Sequence, residues 1–200
     1  MVGKSHIVSN ICTVAIGCEL IYFAQIAGDP LTTVGNTLSN ALSYIFINPD
    51  FKGFWAFAVY FYLFLMGTLL PDIDNEKSIL GKHWHLKMEH RTWTHTVWFL
   101  LPLALLSIKF VFARWLALGY FLHLFWDSLS VGGICWFYPI SQYKYFGTSG
   151  AKIKKNHKIY LYRVGKKSEA VLVTILVVIS VLLLAFCVYL TFFTISKKMV

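Results

Sequence analysis

The chain has 200 residues, of which 58% are hydrophobic, and its 18 lysines and arginines outnumber 9 acidic residues, giving a net charge of +9. This composition excludes an ordinary soluble globular domain. Most basic residues lie between the apolar segments, so we expect them to face anionic lipid rather than nucleic acid. The four cysteines form no C-x-x-C pair, so neither a disulfide framework nor a thiolate zinc site is predicted.

Five segments are apolar enough to predict transmembrane helices, which take about 20 residues each. They cover residues 7–27, 53–70, 96–111, 113–129 and 170–195. Glu19 and Gln25 interrupt the first segment, which favours a retained helix over a cleaved signal peptide. The third and fourth segments are separated only around Lys109 and Arg114, which predicts a tight hairpin or a re-entrant pair. We therefore expect an all-α, polytopic membrane protein with about five transmembrane helices.

The whole chain, residues 1–200, is expected to form a single membrane-embedded domain. Its parts are a motif-bearing core at 1–130, a basic loop at 131–169 and a final transmembrane helix at 170–195. With five crossings, 13 of the 18 basic residues lie on the side of the amino terminus. Because positive residues stay in the cytoplasm, the amino terminus is predicted to be cytoplasmic and the protein to lie in the inner or plasma membrane.

Three polar clusters interrupt the apolar sequence: Pro71-Asp72-Ile73-Asp74, His90-Arg91-Thr92-Trp93-Thr94-His95 and His123-Leu124-Phe125-Trp126-Asp127. Under the predicted topology, these clusters and His6 meet at one face of the membrane. Ionisable groups are costly to place in apolar surroundings and are rarely kept there without a function. The predicted metal ligands are His6, Asp72, Asp74, His90, His95, His123 and Asp127.

The local spacings suit metal coordination. His123 and Asp127 are four residues apart, so a helix presents both on one face. A third helix starting near Thr94 would have that hydroxyl as its N-cap. The structural alternative for Asp127 is a buried ion pair with Arg91 or Arg114.

Imidazole and carboxylate ligands together suit a divalent ion, and Zn²⁺, Mn²⁺ and Fe²⁺ all fit this mixture. The number of ligands allows one or two ions. The expected chemistry is attack by metal-activated water on an ester or phosphoester. Arg91 is the predicted catalytic residue, because its guanidinium can hold an anionic group or a developing oxyanion.

At these residues the chain resembles the YdjM-like family of membrane-bound metal-dependent hydrolases. The resemblance rests on Ser5-His6, on residues 69–74 (LLPDID) with 77–81 (KSILG), on residues 90–96 (HRTWTHT), and on residues 119–123 (GYFLH) with Asp127. It covers about two thirds of the chain, from residue 6 to about 130. It implies a bacterial inner-membrane protein that uses a divalent metal, with the seven predicted ligands in that role.

Two other functions remain as alternatives. The same ligands could belong to a metal transporter or sensor, in which case they should line a path across the bilayer. A non-catalytic membrane scaffold or regulatory partner would bind another protein through the basic segment 144–167. The chain contains no H-E-x-x-H and no G-x-S-x-G motif. Membrane lipids are the expected partners, and the small-molecule or lipid substrate is left open.

Overall fold

The computed structural model describes residues 3–27, 53–76, 78–84, 91–141 and 161–198. Within these ranges the chain forms long helices and no β-strand, so the all-α prediction is confirmed. The helices are α1 (Gly3–Ala27), α2 (Gly53–Leu69), α3 (Val97–Lys109), α4 (Val111–Ser128) and α5 (Lys167–Lys198). Two 3₁₀ turns, Leu70–Asp74 and Trp93–His95, and a one-turn helix at Gly81–Trp84 lie between α2 and α3.

Each predicted apolar segment coincides with one helix, but the prediction of five spans is not confirmed. Among the described residues, only Lys167–Phe186 of α5 is both long and apolar enough to cross a membrane. Two of the other helices show why they do not meet this criterion. Helix α3 has only 13 residues, and α4 carries Arg114, His123 and Asp127. The amino-terminal orientation stays a prediction.

Helices α2 and α4 cross at very short distance because each has a glycine at the contact. A Cβ added at Gly67 would lie 2.1 Å from the carbonyl oxygen of Leu116. One added at Gly119 would lie 2.2 Å from the carbonyl oxygen of Phe64. Small residues at a helix crossing let two backbones approach, as is common in membrane proteins. This crossing sets the position of the second half of α4, which carries His123 and Asp127.

A buried asparagine on α1 joins the same crossing. Asn10 donates through Nδ2 to the Thr68 hydroxyl at 3.0 Å and to the Gly119 carbonyl oxygen at 3.4 Å. Thr68 in turn donates its hydroxyl to the Phe64 carbonyl oxygen at 3.0 Å. Hydrogen bonds between helices are a normal means of association where water is scarce. They place the first turns of α1 beside α2 and α4.

The predicted hairpin is present: α3 and α4 are separated by Phe110 alone and pack against each other. The third helix, however, starts at Val97 rather than near Thr94, and the N-cap position is Thr96 without a side-chain capping bond. The prediction of Thr94 as an N-cap is therefore wrong. Its hydroxyl binds the Asp74 carboxylate instead, which is a stronger, charged acceptor.

The segment before α5 returns to the end of α4. Val131 N donates to the Tyr162 carbonyl oxygen and Leu161 N donates to the Leu129 carbonyl oxygen, each at 3.0 Å. The Tyr162 ring packs with Trp126, and α5 then runs along α1. This return closes the helix group around the carboxyl end of α4.

We expect Gly119→Ala to lower the free energy of unfolding by about 1–3 kcal/mol, the usual cost of overpacking a tight contact. The new methyl group would meet backbone atoms of Phe64 and Thr68, which cannot move without separating the helices. Thermal or denaturant unfolding of the purified protein in detergent measures the change. Gly17→Ala on α1 is the matched control, since a Cβ there meets nothing within 4 Å. Equal stability of both variants would contradict the proposed tight crossing.

Candidate metal centre

Six of the seven predicted ligands converge on one buried site. Helix α1 supplies His6, the first 3₁₀ turn supplies Asp72 and Asp74, the second supplies His95, and α4 supplies His123 and Asp127. All six residues are at most 5% exposed. His90, the seventh predicted ligand, lies outside the described residues.

Four atoms form the centre of this site, which we call the four-ligand set: His95 Nε2, His123 Nε2, Asp72 Oδ1 and Asp127 Oδ2. His95 Nε2 lies 3.8 Å from Asp72 Oδ1 and 3.6 Å from Asp127 Oδ2. His123 Nε2 lies 3.7 Å and 3.8 Å from the same two oxygens. Two ligands about 2.1 Å from a zinc ion at the tetrahedral angle would be about 3.4 Å apart. These four separations between nitrogen and oxygen therefore exceed a tetrahedral ligand separation by only a few tenths of an ångström.

His6 extends the site on the α1 side. Its Nε2 lies 3.1 Å from Asp127 Oδ1, and its ring stacks on His123 with the ring centroids 3.8 Å apart. Two groups of three side chains therefore have metal-binding separations, and they share His123. One is Asp72, His95 and His123, and the other is His6, His123 and Asp127. These separations are compatible with one ion that has His6 as a further neighbour, or with two ions.

The tautomer of His123 is set by a backbone contact. Its Nδ1 lies 2.7 Å from the Thr68 carbonyl oxygen, which only accepts, so Nδ1 carries the hydrogen. The Nε2 lone pair therefore points into the site, where it has no hydrogen-bond partner among the described residues. Metal-binding histidines characteristically donate their second ring N–H to a carbonyl or carboxylate in this way.

His95 is oriented by a similar chain of contacts. The Thr94 hydroxyl donates to Asp74 Oδ2 at 2.7 Å, so its oxygen is free to accept from His95 Nδ1, 3.0 Å away. Nε2 of His95 is then the basic nitrogen, and it faces Asp72 and Asp127. Asp74 itself belongs to neither three-residue group. The geometry therefore gives Asp74 a supporting position behind His95 rather than a position in the four-ligand set.

Arg91 is the cation beside the buried carboxylate of Asp127. Its Nη2 lies 2.9 Å from Asp127 Oδ2, and its Nη1 donates to the Ser130 hydroxyl at 3.1 Å. The structural alternative of an Arg91–Asp127 ion pair is thus present, alongside the histidine contacts. Arg114 is not its partner, because it lies 13 residues earlier on α4, about 20 Å along the helix.

The backbone conformation of Arg91 and the lack of a side chain at Gly132 allow the contact between Arg91 and Asp127. Arg91 has a φ of +67°, a left-handed conformation that is strained for a residue with a side chain. Its backbone N–H donates to Asp74 Oδ2 at 3.1 Å, which helps to hold that conformation. A Cβ at Gly132 would lie 2.3 Å from Arg91 Nη1. A side chain at position 132 would therefore displace the guanidinium from its place between Asp127 and Ser130.

The turn after α2 fixes the position of Asp72. The Asp72 carbonyl oxygen accepts from Asn75 N at 3.0 Å and from the Ser78 hydroxyl at 2.7 Å. Ser78 also accepts from Gly81 N at 2.8 Å, and a Cβ at Gly81 would lie 2.0 Å from the Asn75 carbonyl oxygen. The serine and glycine that follow the two aspartates therefore close the turn that aims Asp72 at the site.

Two buried tyrosines brace the walls of the site. The Tyr120 hydroxyl donates to the Thr94 carbonyl oxygen, and the Tyr162 hydroxyl donates to the Trp126 carbonyl oxygen at 2.8 Å. Burial, and secondly the negative charge of Asp127, raise the pKa of Tyr162. The Tyr162 hydroxyl therefore stays protonated and keeps its role as a donor.

Sequence reasoning missed the supporting residues Thr68, Ser130 and Gly132. Thr68 acts through its carbonyl oxygen towards His123, so its side-chain type carries no signal for that role. Ser130 follows Asp127 by three residues and accepts from Arg91 while donating to the Asp127 carbonyl oxygen at 2.8 Å. That spacing was the one local signal that could have identified it.

The residues present fit a divalent ion. Two imidazole nitrogens and two carboxylate oxygens are a normal ligand mixture for zinc, manganese or iron. His123 Nε2 is buried and aimed into the site without a hydrogen-bond partner among the described residues, as expected of a ligand atom. Carbonyl and hydroxyl groups behind both imidazoles fix the tautomers that coordination needs.

Comparison with known proteins places the chain in a family. The family model described as YdjM inner membrane protein matches residues 1–193, nearly the whole chain. No curated protein and no solved structure matches the chain significantly.

We expect Asp74→Ala to destabilise the metal-free protein, because the Thr94 hydroxyl and the Arg91 N–H would both lose their acceptor. Each buried donor left unsatisfied costs about 1–3 kcal/mol. Thr94→Val removes the contacts of that hydroxyl with Asp74 and with His95 Nδ1, so it should also destabilise the protein. Unfolding in detergent with a chelator present measures both. Glu76→Ala is the control, since that exposed carboxylate lies on the same segment. A loss no larger than that of Glu76→Ala would refute the supporting role.

Proposed function

Because the chain belongs to the YdjM inner membrane protein family, we propose that it is a membrane-bound metal-dependent hydrolase. Its reaction would be the hydrolysis of an ester or phosphoester, including a lipid-linked one. The observation that carries the proposal is the four-ligand set, in which two imidazole nitrogens and two carboxylate oxygens lie within 3.6–3.8 Å across four pairs. Such a set, buried and next to a guanidinium, suits metal-assisted hydrolysis.

In this proposal His95, His123, Asp72 and Asp127 hold the ion, and His6 either adds a fifth ligand or helps to hold a second ion. When bound, a divalent ion polarises the substrate oxygen and lowers the pKa of water. The protein's own part is to keep both Nε2 atoms unprotonated and aimed at one point. Thr68 and the Thr94–Asp74 pair provide this through the Nδ1 contacts.

Arg91 is proposed to bind the anionic group of the substrate. A guanidinium has five N–H donors, and the described residues use one for Asp127 and one for Ser130. The side chain is 17% exposed, whereas the ligands behind it are closed off. The same group therefore neutralises Asp127 on one side and offers donors to a phosphate or developing oxyanion on the other.

We further propose that the site faces the cytoplasm and that the amino-terminal helices cross the membrane. The support is the distribution of charge, since most basic residues lie on the side of the chain that the topology gives to the amino terminus. The polar residues that lower the hydropathy of α1 and α4 are buried against each other. His6, Asn10 and His123 are each 0% exposed, so they do not face lipid.

We favour a hydrolase over a metal transporter because the ligands form one closed cluster. A transport path would distribute ligands along the helices, whereas the described ligands gather near the carboxyl end of α4 and the turns beside it. The scaffold alternative depends on the basic segment 144–167, most of which lies outside the described residues.

Purified protein should contain at least one equivalent of a transition metal per chain, and the double variant Asp72→Ala/His95→Ala should lose it. Each substitution removes one member of the four-ligand set, which leaves too few ligands for tight binding. Elemental mass spectrometry of detergent-purified protein measures the content, and size-exclusion chromatography with circular dichroism verifies folding.

Glu76→Ala serves as the matched control for that experiment, because it removes a carboxylate from the same turn without touching the site. It should keep the metal of the unsubstituted protein. Metal-free protein that is folded, even after reconstitution with zinc, manganese and iron, would overturn the proposal.

Arg91→Lys should raise the KM for an anionic phosphoester by about tenfold or more, because the loss of a bidentate charged contact costs roughly 1.5–3 kcal/mol. The positive charge beside Asp127 is retained, so metal content should not change. Steady-state kinetics on a phosphodiester and on an uncharged ester, with the same protein samples, separates the two roles. Equal losses for both substrates would instead indicate that Arg91 acts only through Asp127.

A further inference from the structure

A groove lies between α3 and α4 whose lining contains none of the metal-site residues. Its volume is about 350 Å³, within the range of ligand-binding pockets. The walls are apolar on both helices, with Leu100, Ala104 and Ile108 on α3 and Leu118 and Phe121 on α4. Arg114 is the one charged side chain in its lining. About 20 Å of helix separates Arg114 from Asp127 on α4, so the charged end of the groove is remote from that ligand.

The charged side chains at the junction of α3 and α4 are both positive. Lys109 ends α3 and Arg114 lies in the first turn of α4, so two cations flank the hairpin. The sequence contains no acidic residue between Glu89 and Asp127. The Nε of Arg114 donates to the Ser107 carbonyl oxygen at 2.9 Å, which fixes the guanidinium beside the groove. A group held in place in this way loses little conformational freedom when an anion binds.

The surroundings of the groove are those of a lipid-facing surface. Leu105 and Ile108 on α3 are 59% and 68% exposed, and Phe112 on α4 is 50% exposed. A ligand that fits must therefore be apolar along most of its length and anionic at one end. An acyl chain with a phosphate headgroup has this form, and arginine binds phosphate through parallel hydrogen bonds.

We propose that this groove is a binding site for one anionic phospholipid of the surrounding membrane. The acyl chain lies between α3 and α4, and the phosphate binds Arg114 with Lys109 nearby. The site is independent of the proposed hydrolysis, because its lining residues are separate from the four-ligand set. The bound lipid covers the apolar walls of the hairpin and links its two helices.

The test uses the full-length protein, stripped of lipid in detergent and then mixed with phosphatidylglycerol or with phosphatidylcholine. Native mass spectrometry counts bound lipid, and the shift in Tm reports its effect on stability. We expect one phosphatidylglycerol per chain, a higher Tm, and at least about tenfold weaker binding of phosphatidylcholine, because its choline cation lies close to the phosphate and is repelled by Arg114 and Lys109.

Two variants locate the site. Arg114→Gln removes the phosphate contact, and Ala104→Trp fills the groove from an exposed position on α3, so it should fold even if Arg114→Gln does not. Each should weaken phosphatidylglycerol binding about tenfold or more. Lys166→Gln, which removes one exposed positive charge just before α5, is the control and should bind as the unsubstituted protein does. No headgroup preference, or equal binding by Ala104→Trp and the control, would overturn the proposal.

Discussion

The buried carboxylate of Asp127 is the constraint on which the rest of the structure depends. A carboxylate taken out of water is strongly destabilising unless cations and donors surround it. Its neighbours come from distant parts of the chain, with His6 on α1, Arg91 in the loop before α3, and His123 one turn earlier on α4. The helices must therefore assemble around this one residue before its charge is compensated.

The close crossing of α2 and α4 positions His123 within this assembly. Gly67 and Gly119 let the two backbones touch, and this contact brings the Thr68 carbonyl oxygen to His123 Nδ1. The Thr68 carbonyl, one residue before the end of α2, thus determines which nitrogen of His123 faces the site. Packing between apolar helices and the chemistry of a ligand are linked here through a single peptide carbonyl.

The hairpin of α3 and α4 carries two different surfaces. Towards the core, α4 presents His123 and Asp127 to ligands from α1 and the turns. Towards the outside, the hairpin presents exposed leucine and phenylalanine side chains and a groove that contains Arg114. A short helix pair with a polar inner end and an apolar outer wall can hold a buried site while it contacts lipid. This division explains why α4 has too many polar residues to resemble an ordinary membrane span.

The sequence by itself determined the helical architecture and the family, because apolar runs and short motifs are local properties of the chain. It also indicated which side chains belong to the site, since histidine and aspartate are costly in apolar surroundings; their role as metal ligands stays a prediction. The supporting position of Asp74, the carbonyl behind His123 and the space at Gly132 were decided only by the tertiary structure. These depend on contacts between residues such as Arg91 and Ser130, 39 positions apart, or Thr68 and His123, 55 positions apart. No local pattern encodes such distances, because they arise only when the helices pack.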